Sequence, residues 1–205
     1  MFEETLKAEA KHCLAVLGKS GLLRDAYLAG GSALALQLGH RLSVDFDFFT
    51  AKKFIPRIFS NNLSKLGAFE EDQADRDTVL GRFEKIKFSL FKYEYPLIDK
   101  TVKYLSVSLA GIKDIAAMKI DAISSRGAKR DFIDLFYICQ SGLRLKEILN
   151  FYDDKYGGLK HKFIHIEKSL VFFQDAEKDE IPKMLKETKW SEVKRFFQYE
   201  TVKIF

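Results

Sequence analysis

The chain has 205 residues, 47% hydrophobic and 31% charged, with 12 Gly and 3 Pro, which supplies one sizeable core and excludes disordered, collagenous and low-complexity classes. A net charge of +5 permits a nucleotide or nucleic-acid partner without demanding one. Cys13 and Cys139 form no CxxC pair, no apolar run approaches the ~18 residues of a membrane span, and the charged N-terminus lacks a signal-peptide core, so zinc ribbons, disulfide scaffolds and membrane anchoring are excluded and a cytoplasmic protein is expected.

Residues 3–17 place Leu6, Ala10, Cys13, Leu14 and Leu17 at helical spacing, stopped by Gly18 and Gly21. The short apolar run 26–29 then meets Gly30-Gly31-Ser32, and residues 33–38 are rich in helix formers and end at Gly39. The order is strand, glycine turn, helix. Residues 44–49 alternate with period two, acids on one side and Phe on the other. A helix is predicted over 52–66, then strands over 78–83, 86–93 and 105–109. Beyond Gly111 the pattern is helical, with segments at 112–124, 130–140, 144–155, 160–173 and after Trp190. The composition divides near residue 110, giving a mixed α/β core over 1–110 and a helical region over 111–205. The 19 Phe residues predict a Phe-rich interior.

Chemistry concentrates first in Gly30, Gly31 and Ser32, followed thirteen residues later by Asp45 and Asp47. A Gly-Gly turn opening a helix lets backbone N–H groups approach an anion, with the helix N-terminus adding partial positive charge. Carboxylates at i and i+2 of a strand project from one face, roughly 6–7 Å apart at Cα. A divalent cation such as Mg²⁺ relieves their repulsion and also favours phosphate oxygens. A phosphate cradle beside a carboxylate pair suits metal-assisted phosphoryl or nucleotidyl transfer. Taken singly, the glycines also fit an ordinary turn and the acids a solvent-facing strand.

The stretch Leu28–Thr50, LAGGSALALQLGHRLSVDFDFFT, resembles the signature of AbiEii/AbiGii-type nucleotidyltransferases of the DNA polymerase β-like superfamily. The stretch Lys113–Ile138, KDIAAMKIDAISSRGAKRDFIDLFYI, resembles that family's second signature. The resemblance implies an α+β fold, a polymerase β-like core of mixed sheet and flanking helices followed by a C-terminal helical region. It also implies roles. Gly30, Gly31 and Ser32 would hold the triphosphate of an NTP, Asp45 and Asp47 would bind Mg²⁺ (or Mn²⁺), and Lys119 would contact the triphosphate. Asp131 and Asp134 match the acids of an RDxxD segment where an acid is proposed to assist catalysis, and Arg41 would touch a phosphate. The activity implied is transfer of an NMP to an acceptor hydroxyl, with RNA (a tRNA acceptor end) as acceptor. The biological setting implied is a toxin paired with an antitoxin, or phage defence.

The residues also depart from the superfamily. Many members carry a third carboxylate on a later strand, whereas the run 86–91, IKFSLF, has no acid. Asp131 or Asp134 could replace it from the helix, Asp131 being the first choice for its position near the Gly127 turn. The departure keeps two alternatives open: an inactive nucleotide- or RNA-binding module, and a metal-dependent phosphohydrolase or nuclease. His161 and His165 stand at i and i+4 without the Glu of HExxH and read as basic helix surface.

Overall fold

The chain is described by a computed structural model covering residues 1–204. Helix α1 spans Ala8–Lys19, later than the expected start at residue 3. Thr5 and Leu6 are buried instead of continuing the helix, and Ser43 donates its backbone N–H to the Thr5 carbonyl at 3.1 Å. Strand β1 (Tyr27–Ala29) runs directly into helix α2 (Gly30–Leu38), whose C-cap Gly39 takes the left-handed conformation at φ 64°. Strand β2 (Phe46–Thr50) follows, then helix α3 (Pro56–Leu66), which starts at Pro56 because proline suits a first turn that lacks N–H acceptors.

Strands β3 (Phe69–Asp75), β4 (Thr78–Phe83) and β5 (Ile86–Lys92) form a meander, and β6 (Val102–Tyr104) and β7 (Val107–Leu109) a hairpin. These join in one sheet of order β3-β4-β5-β2-β1-β7-β6. β3 and β6 were not expected from the sequence. FEEDQAD has no apolar alternation, and the turns carry none of the glycines that usually announce a hairpin. Arg76-Asp77, Glu84-Lys85 and Leu105-Ser106 all adopt positive φ, between 44° and 67°. Ordinary side chains therefore occupy a turn geometry that normally selects Gly or Asn.

From Ile112 on, the chain is mostly helical: α4 (Ile112–Arg126), α5 (Lys129–Gln140), α6 (Leu145–Tyr156), α7 (Leu159–Val171) and α8 (Trp190–Ile204). One hydrophobic cluster joins these helices to the sheet, with Phe46, Phe48, Phe83, Phe88, Phe132 and Phe197 fully buried in it. A buried ion pair straps the β5–β6 loop to the helices. Lys155 on α6 donates to Asp114 on α4 at 2.8 Å and to the Pro96 carbonyl at 2.7 Å, while Asp114 also accepts from the Asp99 N–H at 2.9 Å. Among the described residues no helix is long and apolar enough to cross a membrane.

Candidate active site

Three strands align the site. β2 lies antiparallel to β1 and parallel to β5, so that Asp47 stands beside Ala29 on one side and Ser89 on the other. Because side chains alternate, Asp45, Asp47 and Phe49 share the face on which Lys87, Ser89 and Phe91 of β5 also lie. A cleft of about 540 Å³ opens over this face, walled by Gly30 and Gly31 at one end and by α4 through Ile115, Met118, Lys119, Ala122 and Arg126.

The glycine end is built tightly. Gly30 has φ +65°, and a Cβ there would lie 3.1 Å from Asp47 Oδ2; a Cβ at Gly31 would lie 2.3 Å from Arg41 Nη2. The first turn of α2, with no side-chain cap on its N–H groups, thus lines the cleft directly against Asp47 and Arg41. Ser32 sits otherwise than expected. Its hydroxyl is buried, donates to the Asp45 carbonyl at 2.5 Å and lies 3.0 Å from Ser43 Oγ, so it fixes the loop that carries Asp45 and turns away from the cleft. Gly31→Ala is expected to cost about 1–3 kcal/mol, the usual penalty of overpacking, because Asp134 prevents Arg41 from moving aside. Chemical denaturation measures it, and an unchanged midpoint would mean that Arg41 yields freely.

Asp45 and Asp47 line the middle of the cleft. Burial, and then the charge of Asp45, push the Asp47 carboxyl above its ordinary value, while a hydrogen bond from Ser89 and the charges of Lys119 and Lys87 pull it down. No ion pair holds either acid among the described residues, in contrast to Asp131 and Asp134 beside them. The residues present fit a divalent cation. Two half-buried carboxylates on one strand face have no ion-pair contact among the described residues, and a hard cation would take both together with phosphate oxygens and water.

The cationic wall is held from behind. Lys119 Nζ pairs with Asp131 at 2.8 Å and with Asp134 at 2.6 Å. Arg126 reaches Asp131 through Nε at 2.7 Å and Nη2 at 3.0 Å. Arg41 forks onto Asp134 at 2.7 and 2.8 Å, and His40 Nε2 lies 2.8 Å from the same carboxylate. Both acids are fully buried. Burial alone would raise them, but Lys119 and Arg41 hold Asp134 well below the usual carboxylate range, and Lys119 and Arg126 hold Asp131 low. The expectation that Asp131 or Asp134 acts directly on the acceptor hydroxyl is therefore corrected. Each is buried and a weak base, Asp131 with two partners and Asp134 with three, and each positions the cations that face the cleft. Arg41 lines the cleft, with its Nε and Nη2 on Asp134 and its Nη1 donating to the Leu42 carbonyl at 3.0 Å.

His40 titrates within this network. Burial holds the imidazole below its ordinary value despite Asp134, so the unfolded chain takes up a proton first as pH falls through about 6.5. Stability should be full above that value and decline below it, by at most about 1.4 kcal/mol per pH unit. His40→Gln should flatten the decline in denaturation curves recorded from pH 7.5 to roughly 5; a slope identical to the native protein's would assign the effect elsewhere.

Sequence reasoning did not single out Arg126, Arg130 and Lys87, all on the cleft wall. The only signal for Lys87 was its position two residues before Ser89 on a strand. Arg126 lies in the last turn of α4 before Gly127, where a cation is favourable on helix-dipole grounds alone.

Comparison with known proteins agrees with this architecture. The sequence profile of the AbiEii nucleotidyl transferase toxins of type IV toxin–antitoxin systems matches residues 12–104 and 92–203. An uncharacterized protein of Aquifex aeolicus is 40% identical over 198 residues, 94% of either chain. JHP933 from Helicobacter pylori superposes with a TM-score of 0.59 at 14% identity, covering 97% of this chain and 94% of that one. A second H. pylori crystal structure gives 0.58 at 15% identity over 100% and 97%. The fold is the polymerase β-like arrangement expected from the sequence, and the chain belongs to the AbiEii family of nucleotidyltransferase toxins.

Proposed function

We propose that the protein uses Mg²⁺ (or Mn²⁺) to transfer an NMP from an NTP to a hydroxyl at the acceptor end of an RNA, with tRNA the leading candidate, acting in the cytoplasm and restrained by a cognate antitoxin. The acceptor oxygen bonds to the α-phosphorus, the bond from that phosphorus to the bridging oxygen of the β-phosphate breaks, pyrophosphate leaves and the hydroxyl proton passes to water. The observation that carries this reading is the pairing of two carboxylates without an ion-pair contact, Asp45 and Asp47, with a fixed cationic wall of Arg41, Lys119 and Arg126 across one cleft.

Those three cations outnumber the two buried acids behind them, so their wall presents positive charge to an incoming phosphate. The α2 N-terminus and the cations orient the β- and γ-phosphates and stabilise charge on the leaving pyrophosphate. Asp45 and Asp47 would hold the metal, which when bound polarises the transferring phosphoryl group. Because Ser89 occupies the strand position opposite Asp47, an inactive nucleotide-binding module is the second reading. Incubation with labelled NTPs, Mg²⁺ and total RNA separates them. Label appearing on RNA and abolished by EDTA supports transfer; NTP binding without label supports the inactive module; shortened RNA without label would overturn both.

A further inference from the structure

The sheet face carries rows of side chains, and one of them has no part in the chemistry above. Beside the Ala29–Asp47–Ser89 row lies Tyr27–Phe49–Phe91, two residues further along each strand and therefore about 7 Å away. β1 runs from Tyr27 through Ala29 into Gly30, so the glycine cradle and the aromatic row flank the carboxylates on opposite sides. Phe49 and Phe91 are half-buried, line the cleft and lie 5.6 Å apart between ring centroids.

The row continues outward. Tyr93 stands edge-on to Phe49 at 5.0 Å, Tyr95 to Tyr93 at 5.1 Å, and Tyr156 to Tyr95 at 4.7 Å. Tyr95 is 47% exposed. The far end is basic: Lys162 Nζ lies 5.8 Å over the ring of Tyr152, which itself touches Tyr156. The result is a run of rings from the metal-binding acids to open solvent, ending beside a lysine.

In-line transfer decides what this run meets. The attacking and leaving oxygens stand roughly opposite each other across the transferred phosphorus. With pyrophosphate leaving into the Gly30-Gly31 cradle, the hydroxyl arrives from the aromatic side. We infer that Phe49, Phe91, Tyr93 and Tyr95 form a stacking platform for the unpaired terminal bases of a single-stranded RNA acceptor. The inference rests on the transfer reading above and adds where the acceptor lies. Stacking on rings tolerates any base, because every base presents a π-face, so the platform selects an unpaired end over a duplex and does not select its sequence.

The test uses the full chain and a fluorescent oligoribonucleotide of about 12 nucleotides, within the span of single-strand grooves, with binding read by anisotropy. Tyr95→Ala should weaken its binding about 5- to 150-fold, the effect of losing a stacked base. Tyr95→Phe should restore it, and affinity for a fluorescent NTP should be unchanged in both. Tyr95 lies at the surface, so its melting temperature reports separately on folding. Unchanged oligonucleotide binding in Tyr95→Ala would overturn the platform. Weakened NTP binding instead would also overturn it and place the nucleobase of the NTP on these rings. Native protein that labels total RNA but does not bind the oligoribonucleotide would overturn the platform and leave the transfer reading standing. Native protein that binds it through Tyr95 yet labels nothing would support the platform and reject the transfer.

Discussion

Asp134→Asn should unfold the protein far more readily than any loss of a surface charge. The carboxylate is fully buried and takes Arg41, Lys119 and His40 at 2.6–2.8 Å. Removing one member of a buried ion network leaves its partners desolvated and unpaired, which costs about 3–5 kcal/mol. At this chain length that is a fall of roughly 6–20 °C in Tm. Transfer should also fail, because Arg41 and Lys119 lose the anchor that aims them at the cleft. A general base would behave in the opposite way, keeping Tm and losing the chemical step. A variant with native Tm and a slow chemical step would therefore restore direct catalysis to Asp134. Both effects should persist in mild acid, since the contribution of a carboxylate held this low is full above the ordinary value near 3.9 and is lost progressively only as pH falls from there toward its lowered folded value.

Asp47→Asn should do the reverse: it should leave the fold intact or firmer and remove the activity. Burial and the Asp45 charge already oppose ionisation of Asp47, so neutralising it relieves a strain of the metal-free protein. In the working site the same charge is required. Losing a fixed electrostatic group at the reacting phosphoryl costs on the order of 10²–10³ in rate, and Asp45→Asn should match it. The check is paired: Tm without metal, and NMP transfer with Mg²⁺. Full activity in both variants would remove the carboxylate pair from the mechanism.

The sequence exposed what depends on local spacing. Gly30-Gly31 before a helix and Asp45-x-Asp47 on a strand are short-range patterns, and each element they imply forms within a few residues of its expected limits. The roles of Asp131 and Asp134 could not be read in this way. Their spacing on α5 shows that they share a face, but not that Arg41, 93 residues away, turns its guanidinium onto one of them. Ser32 illustrates the same limit, since its place after the glycines does not show that residues 43–45 fold onto its hydroxyl. β3 stayed hidden for another reason. An edge strand with one side in water needs little apolar character, and its turn through Arg76-Asp77 lacks the usual glycine.

That edge strand also governs how the sheet ends. β3 pairs only with β4, and its outward backbone N–H and C=O groups could accept a further strand. Glu70, Glu71, Asp72 and Asp75 are all carried on this strand, and all are exposed. Two copies meeting edge to edge would set carboxylates against carboxylates, a repulsion that works against strand addition at neutral pH. The guard is electrostatic, so it weakens as salt shortens the Debye length below about 10 Å. Storage in concentrated salt therefore strips the sheet of its protection against edge-to-edge growth while the buried core stays as it was.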